Sequence, residues 1–340
     1  LFYQLFLFLP FIHHTMNTFG RIFRISIYGE SHGQSVGIVI DGCPPGIEIT
    51  PDDFTNDLSR RKSGAKGTTS RTEQDIPNIS SGIFKNKTTG APIHINFENK
   101  DVKFADYEAI TNIPRPGHAD YTAHIKYKGF NDTRGGGHFS GRLTVCLVAA
   151  GVVAKKIMQF ANFNARLLEA GGNANIDKAV EQALSSGDSI GGIVECVVNG
   201  LPAGLGEPFF DSAESLISHL AFSIPAIKGI EFGSGFQAAR MKGSEHNDSI
   251  LPHGKTTTNH AGGINGGITN GNDLVFRVAV KPASSIAQTQ QSIDLQTNKP
   301  INLNIEGRHD ACIALRVPVV MEAVAAVVLA DCCLMMDKGD

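Results

Sequence analysis

The chain has 340 residues, 41% hydrophobic and 19% charged, a balance that excludes a disordered chain and provides for a sizeable buried core. Its net charge of -3 excludes a global attraction to nucleic acid or to an anionic membrane, so an anionic partner must be met by locally clustered basic residues. The six cysteines, Cys43, Cys146, Cys196, Cys312, Cys332 and Cys333, form no C-x-x-C pair and no zinc-ligand spacing. They read as reduced, mostly buried thiols, which favours a cytoplasmic protein with no bound metal.

In chain order, residues 1–15 are apolar and aromatic but lack a basic n-region and a small-residue cleavage site, and they are too short to span a bilayer. Orderly patterning begins at Met16, so 1–15 are expected to be an extension upstream of the true start, a weak membrane-anchoring segment being the competing reading. From there β-branched runs alternate with glycine-rich turns, predicting strands over 22–28, 36–40, 93–97, 193–198 and 274–280. A continuous apolar stretch over 143–160 predicts a helix, with Lys155 and Lys156 favourably placed near its C-terminal end. A second helix is predicted over 317–336, where Pro318 is tolerated in the first turn. Both are apolar on nearly all faces, which implies cover on more than one side, by sheets or by other subunits. With no repeat and no flexible linker, 16–340 reads as one domain.

Five polar, glycine-rich segments interrupt this core: Gly29-Glu30-Ser31-His32-Gly33, the stretch 60–71, Arg115-Pro116-Gly117-His118-Ala119-Asp120, the stretch 134–142, and Gly307-Arg308-His309-Asp310. Glycine lets the backbone approach a ligand and aim N–H groups at anionic oxygens, while His and Arg supply protons and fixed positive charge. That combination suits a phosphorylated, carboxylated substrate. Singly each signal is weak. A histidine in a glycine-flanked turn is more often a turn residue than a catalyst, and Arg60, Arg61, Lys62 and Lys66 read equally as a solvated basic loop. The 281–285 stretch reads equally as a strand end entering a turn.

Together and in order, GESHG, DGCPPG, DLSRR, RPGHAD, RGGGHFSGR, SIPAIKG, NHAGGINGGIT, KPASS and GRHDAC resemble the chorismate synthase family along nearly the whole chain from Met16. The resemblance implies an α+β fold, a β-α-β sandwich with central buried helices packed between antiparallel sheets. It implies a lyase of the shikimate pathway to aromatic amino acids that acts on 5-enolpyruvylshikimate 3-phosphate. Phosphate and a proton leave in a 1,4-elimination that requires reduced FMN without consuming it. Some members of the family reduce their own flavin with NADPH and others take it reduced, and the resemblance points to a homotetramer.

By resemblance, His32 is the acid beside the leaving phosphate, His118 protonates or orients the reduced flavin, and Asp310 with Ser31 forms a proton-relaying dyad. Arg60, Arg61, Arg134 and Arg308 are expected to bind the substrate anions, with Lys66 standing in for an arginine that the family usually carries shortly after the DLSRR motif. Flavin contacts carry over to His138, Phe139, Ser140, Ala226, Gly266, Lys281, Pro282, Ala283, Ser284, Ser285 and Arg308. Ser284, Ser285 and Gly266 are equally explained as residues the turn needs. His138 stands where the family often has arginine, and Pro225 where it often has asparagine. Two other classes stay open: a flavin oxidoreductase that consumes NAD(P)H, though no G-x-G-x-x-G fingerprint is present, and a non-catalytic module that binds a phosphorylated metabolite.

Overall fold

Alternating apolar residues build a first sheet from β1 (Thr18–Phe19), β2 (Arg24–Gly29), β3 (Ser35–Asp41), β4 (Asn78–Ser81) and β5 (Ile93–Glu98). The computed structural model describes residues 17–71, 73–101, 111–305 and 310–336. The expected extension at 1–15 and Met16 therefore lie outside the described residues. The strands run antiparallel in the order β1-β2-β3-β5-β4. The register pairs Ile25 with Ile40, Ile27 with Ile38, Val36 with Phe97 and Ile38 with Ile95, so one face is a continuous apolar surface.

Between β3 and β4 lies helix α1 (Thr55–Arg61), and after β5 comes α2 (Asp120–Lys126). The apolar run predicted over 143–160 forms α3 (Thr144–Ile157), entered through a 3₁₀ turn at Gly141–Leu143. A second sheet follows from β6 (Asn162–Ala170), β7 (Gly192–Asn199), β8 (Ile227–Phe232) and β9 (Leu274–Val280), antiparallel in the order β8-β9-β7-β6. Helices α4 (Ile176–Ser186) and α5 (Ala213–Phe222) sit in its connections, and the hairpin β10 (Gln290–Asp294) and β11 (Lys299–Leu303) stands apart. The chain closes on α6 (Val317–Met336).

Helix α3 packs on β2, β3 and β5, α6 packs on β6 and β7, and the two helices pack on each other. The layers are therefore sheet, helix, helix, sheet, an α+β sandwich with the two apolar helices at its centre. Their lack of a polar face is accounted for within one chain, without a second subunit, since each has a sheet on one side and the other helix opposite. Ile313–Met336 is long and apolar enough to cross a bilayer by composition, yet here it is a core helix with most of its length buried in the protein. Each buried Val, Ile or Leu stabilises by about 1.5–3 kcal/mol relative to exposure, so this stack is the main source of stability. All six cysteines are free thiols, five of them buried.

Two carboxylates interrupt the apolar surface of α6. Glu322 accepts from both terminal nitrogens of Arg60 at 2.8 and 2.6 Å, from Lys155 Nζ at 2.9 Å and from the Ala165 N–H at 3.0 Å. Asp331 accepts from the N–H groups of Arg21, Ile22 and Phe23 at 2.8, 2.7 and 2.8 Å, fastening the last helix to the entry of β2. A buried carboxylate is tolerated only where it is paired in this way.

The two helices are in close contact at Gly151, where an added Cβ would lie 2.4 Å from Ala323 Cβ and 2.6 Å from its Cα. Gly151→Val is expected to cost about 1–3 kcal/mol by overpacking. Urea unfolding should show a lower midpoint at unchanged slope, and Ala323→Gly should restore only part of it because the Cα remains in the way.

Candidate functional site

The described parts of the polar turns that interrupt the core gather at one end of the helix pair, around a cleft of about 860 Å³. Both central helices begin there: Ser140 to Thr144 lead into α3, and Asp310, Ile313 and Arg316 lead into α6. The helix N-termini add partial positive charge to the cleft. Among the described residues, eight lysines and arginines line it, namely Arg61, Lys62, Arg71, Arg115, Arg142, Lys228, Lys281 and Arg316, against three carboxylates, Glu73, Asp75 and Asp310. A chain with net negative charge thus concentrates positive charge at one place, which is where a polyanion would bind.

The turn after β2 carries Ser31 and His32, both buried. Arg71 donates from Nη1 to Ser31 Oγ at 2.8 Å and from Nη2 to the Ser31 carbonyl at 2.9 Å, and is itself held by Glu73 at 2.7 Å. Burial first, and then the nearby Arg71 guanidinium, pull His32 down from 6.5 to about 4, with Asp132 and Glu73 opposing and Arg134 assisting. In the free protein His32 is therefore neutral near pH 7.

His118 lies in the turn before α2, where its Nδ1–H donates to Asp120 Oδ1 at 2.6 Å. Asp120 also accepts from Arg115 Nε at 2.7 Å, Nη2 at 2.9 Å and its backbone N–H at 3.0 Å. Burial alone would raise the Asp120 carboxyl, but the hydrogen bonds from Arg115 and His118 outweigh it and hold the group far below the usual carboxylate range. A fixed carboxylate at Nδ1 assigns the tautomer and leaves Nε2 for whatever enters the cleft. The same turn is tied to the 281–285 segment: Ser284 Oγ donates to the Gly117 carbonyl at 2.8 Å, and Arg115 Nη1 reaches Ser285 Oγ at 3.3 Å.

Arg61 is buried against Asp75 at 2.5 Å, and Asp75 is shared with Arg142. Burial opposes the Asp75 charge, but the two guanidiniums win and keep its carboxyl below the ordinary value. One carboxylate between two guanidiniums leaves net positive charge facing the cleft. The Arg61 Nε is buried with no hydrogen-bond partner among the described residues. Asp310 accepts from the Thr69 N–H at 2.9 Å and lies 3.7 Å from Arg316.

Of the residues anticipated from sequence, Ser31, His32, Arg61, His118, His138, Phe139, Ser140, Ala226, the run Lys281, Pro282, Ala283, Ser284 and Ser285, and Asp310 all line this one cleft. His138 Nδ1 donates to the Gly29 carbonyl at 2.8 Å. Ala226 adopts φ +78°, a strained conformation for a residue with a Cβ, and its carbonyl accepts from the Lys281 N–H at 2.9 Å.

Four expected residues lie apart from this cleft. Arg60 points into the buried ionic cluster with Glu322, since a carboxylate on an apolar helix needs its cation more than the cleft does. Lys66 lies at the surface, bonded to Glu181 at 2.9 Å, and the arginine beside Ser31 is Arg71 instead. Gly266 lies outside the cleft, at the tip of the Ile264–Asn265 and Ile268–Thr269 hairpin with φ +62°, the turn role that glycine serves. Arg134 does not line the cleft but is held by Asp132 at 2.9 and 2.7 Å, near enough to His32 to depress its pKa. Arg308 lies outside the described residues.

Sequence reasoning did not single out Arg71, Arg115 or Arg142, although each sits at the end of a segment already marked. It also missed Lys228, Glu73, Asp75, Asp120 and Asp132, whose roles depend on partners distant in sequence or unexceptional in type.

Because the unfolded chain protonates His32 below 6.5 and the folded chain only below about 4, folding stability should fall as pH drops through that window. His32→Asn is expected to flatten this part of the profile, read as urea midpoints at pH 7 and 4.5.

A family model described as chorismate synthase matches residues 23–334. The chain is 61% identical over 327 residues to the chorismate synthase of Chitinophaga pinensis, covering 96% of this chain and 98% of that protein. It is 44% identical to the chorismate synthase of Dehalococcoides mccartyi, covering 94% and 96%, and 45% identical to that of Pyrococcus abyssi, covering 92% and 96%. A crystal structure of chorismate synthase superposes with a TM-score of 0.72 at 25% identity, covering 94% of this chain and 93% of that one.

Proposed function

The chain belongs to the chorismate synthase family of carbon–oxygen lyases, and we propose that it converts 5-enolpyruvylshikimate 3-phosphate to chorismate by 1,4-elimination of phosphate, with reduced FMN required and no net redox. The observation that carries this reading is the convergence of His32, His118, Ser31 and Asp310 on one cleft whose walls, among the described residues, hold eight cations against three carboxylates.

The substrate brings one phosphate and two carboxylates. Arg61, Arg71, Arg142 and Arg316 suit them as preorganised donors, because Asp75 and Glu73 hold the first three guanidiniums and the Arg61 carbonyl accepts from Arg316 Nε at 2.9 Å. His32, neutral in the free protein, is at a position where an arriving phosphate dianion opposes the depression caused by Arg71 and Arg134. Proton uptake at this imidazole with binding equips it to protonate the departing phosphate. Without that proton, or cations in its place, phosphate is a poor leaving group.

The cleft fits a flavin by its own features. Arg61 Nε is a buried donor awaiting an acceptor, Phe139 and Ile224 offer apolar wall, and Lys228 and Lys281 supply ammonium groups. When bound, reduced FMN supplies electron density to the breaking C–O bond and a base for the ring proton. The chain's own part is then to present His118 Nε2 with its tautomer set by Asp120, and to carry a proton away through Ser31 and Asp310. Arg71 occupies an acceptor site of Ser31 Oγ, so the hydroxyl is set up as a donor. The proline at 225 offers no side-chain amide, so contact there falls to backbone and to Ala226. NADPH as reductant, a homotetramer and a cytoplasmic location complete the proposal, the last in keeping with six free thiols.

The deciding assay is anaerobic, with purified protein, the enolpyruvyl substrate and chemically reduced FMN. Stoichiometric phosphate and chorismate are expected, and a repeat with oxidised FMN and NADPH reads whether the chain reduces its own flavin. Steady NADPH oxidation with no phosphate release would overturn the lyase reading in favour of an oxidoreductase. His32→Ala and His118→Ala are each expected to slow turnover by about 10²–10⁴-fold, the usual worth of general acid–base catalysis. A loss below tenfold at both would remove the histidine roles. Sedimentation of the active species tests the tetramer, an active monomer being the contrary result.

A further inference from the structure

The turn after Arg134 sits between the two imidazoles. Gly135 packs directly on His32: an added Cβ would lie 2.2 Å from both Cε1 and Nδ1 of the ring and 3.1 Å from Ser31 Oγ. Gly136, the next residue, packs on His118, where a Cβ would lie 3.1 Å from Cε1 and 3.3 Å from Nε2. Two histidines from separate turns thus rest on adjacent residues of a third segment. The approach at Gly135 leaves no room for a side chain, a Cβ at Gly136 would push the His118 ring by a few tenths of an ångström, and φ of +58° and +82° suits glycine at both.

This turn is registered to its surroundings. The Ser31 N–H donates to the Gly137 carbonyl at 3.0 Å, which locks the turn to the residue preceding His32. The Gly136 N–H donates to the Thr133 carbonyl at 3.3 Å, and the Arg134 N–H to Asp132 Oδ1 at 3.0 Å. A Cβ on Gly137 would come within 2.1 Å of the Asp132 carbonyl, so the third glycine closes the turn on itself. On the other side, Asp120 and Ser284 hold the His118 turn in place. The spacing of the imidazoles is therefore set through backbone.

We propose that Gly135 and Gly136 are positioning residues, Gly135 for His32 and Gly136 for His118, and that this glycine pair is the spacer that sets the separation and tilt of the two imidazoles. The consequence for rate rests on the lyase reading above, whereas the positioning itself does not. Small displacements of reacting groups are costly, since a misplacement of about 1 Å can lower a rate on the order of 10²-fold.

The test uses Gly135→Ala and Gly136→Ala in the full chain, with isotopically labelled histidine rings titrated by NMR and assigned through His32→Asn and His118→Asn. Gly135→Ala should force the His32 ring out of its burial and move its midpoint from about 4 toward 6.5 while the His118 signals hold. The groups facing His32 that shape this midpoint are Arg71, Arg134, Asp132 and Glu73, none of which is altered. Gly136→Ala should displace the His118 signals and leave the His32 titration at its parent midpoint. Each variant should lose about 10- to 100-fold in kcat with KM changed less than threefold.

Unaltered ring signals in both variants, or equal movement of both rings in each, would overturn the proposal. Should Gly135→Ala fail to fold, the same change in a His32→Ala background decides. Folding restored by removing the ring supports the spacer, and failure in that background assigns Gly135 to backbone conformation alone. The titrations need neither substrate nor flavin, so a chain shown to perform another reaction would lose the rate expectation and keep the positional one.

Discussion

The approach of Gly151 to Ala323 governs how the rest of the molecule is arranged. With no side chain on one helix and a methyl on the other, α3 and α6 come close enough for two sheets to close over them from opposite sides. Both helices start at the cleft, so their separation also sets the distance between the Ser140 to Thr144 segment and the Asp310 to Arg316 segment. Packing at the centre of the protein is thereby converted into geometry at its functional end. The apolar helices pay no penalty for lacking a polar face, because neither has a side exposed to water along most of its length.

Charge is distributed according to the same layering. Deep in the stack, Glu322 gathers Arg60 and Lys155, and Asp331 gathers three backbone N–H groups, so the carboxylates on α6 serve the fold. Near the cleft, carboxylates serve instead to orient cations: Asp75 between Arg61 and Arg142, Glu73 on Arg71, Asp120 on Arg115 and His118, Asp132 on Arg134. Guanidiniums fixed before ligand arrives lose little further freedom on binding, which is how a cleft rich in cations becomes a preorganised one. The depressed pKa of His32 follows from this arrangement, as burial and Arg71 act on it before any phosphate does.

The strands over 22–28, 36–40, 93–97, 193–198 and 274–280 and the two long helices were legible because their patterns are local and strongly apolar, and the structure places each within a residue or a few of its expected bounds. The short strands β1 and β4, edge strands β6 and β8, and helices α1, α4 and α5 were not singled out, since they are brief or carry mixed polarity that local pattern does not resolve. At the cleft, the histidines stood out through glycine-flanked motifs. Arg71 did not, because the pattern of basic residues drew attention to Lys66, whose side chain faces Glu181 at the surface.

The sequence by itself determined the residue types, the apolar periodicity and the ordered set of motifs, and from these the family and the sandwich of helices between sheets. Tertiary structure alone decided which arginines face the cleft and which neutralise the core, because that depends on carboxylates more than two hundred residues away in the chain, as with Arg60 and Glu322. It alone decided that Gly135 and Gly136 lie against two different histidines. Such outcomes follow from three-dimensional competition for partners in a low-dielectric interior, and a linear pattern carries no record of which partner wins.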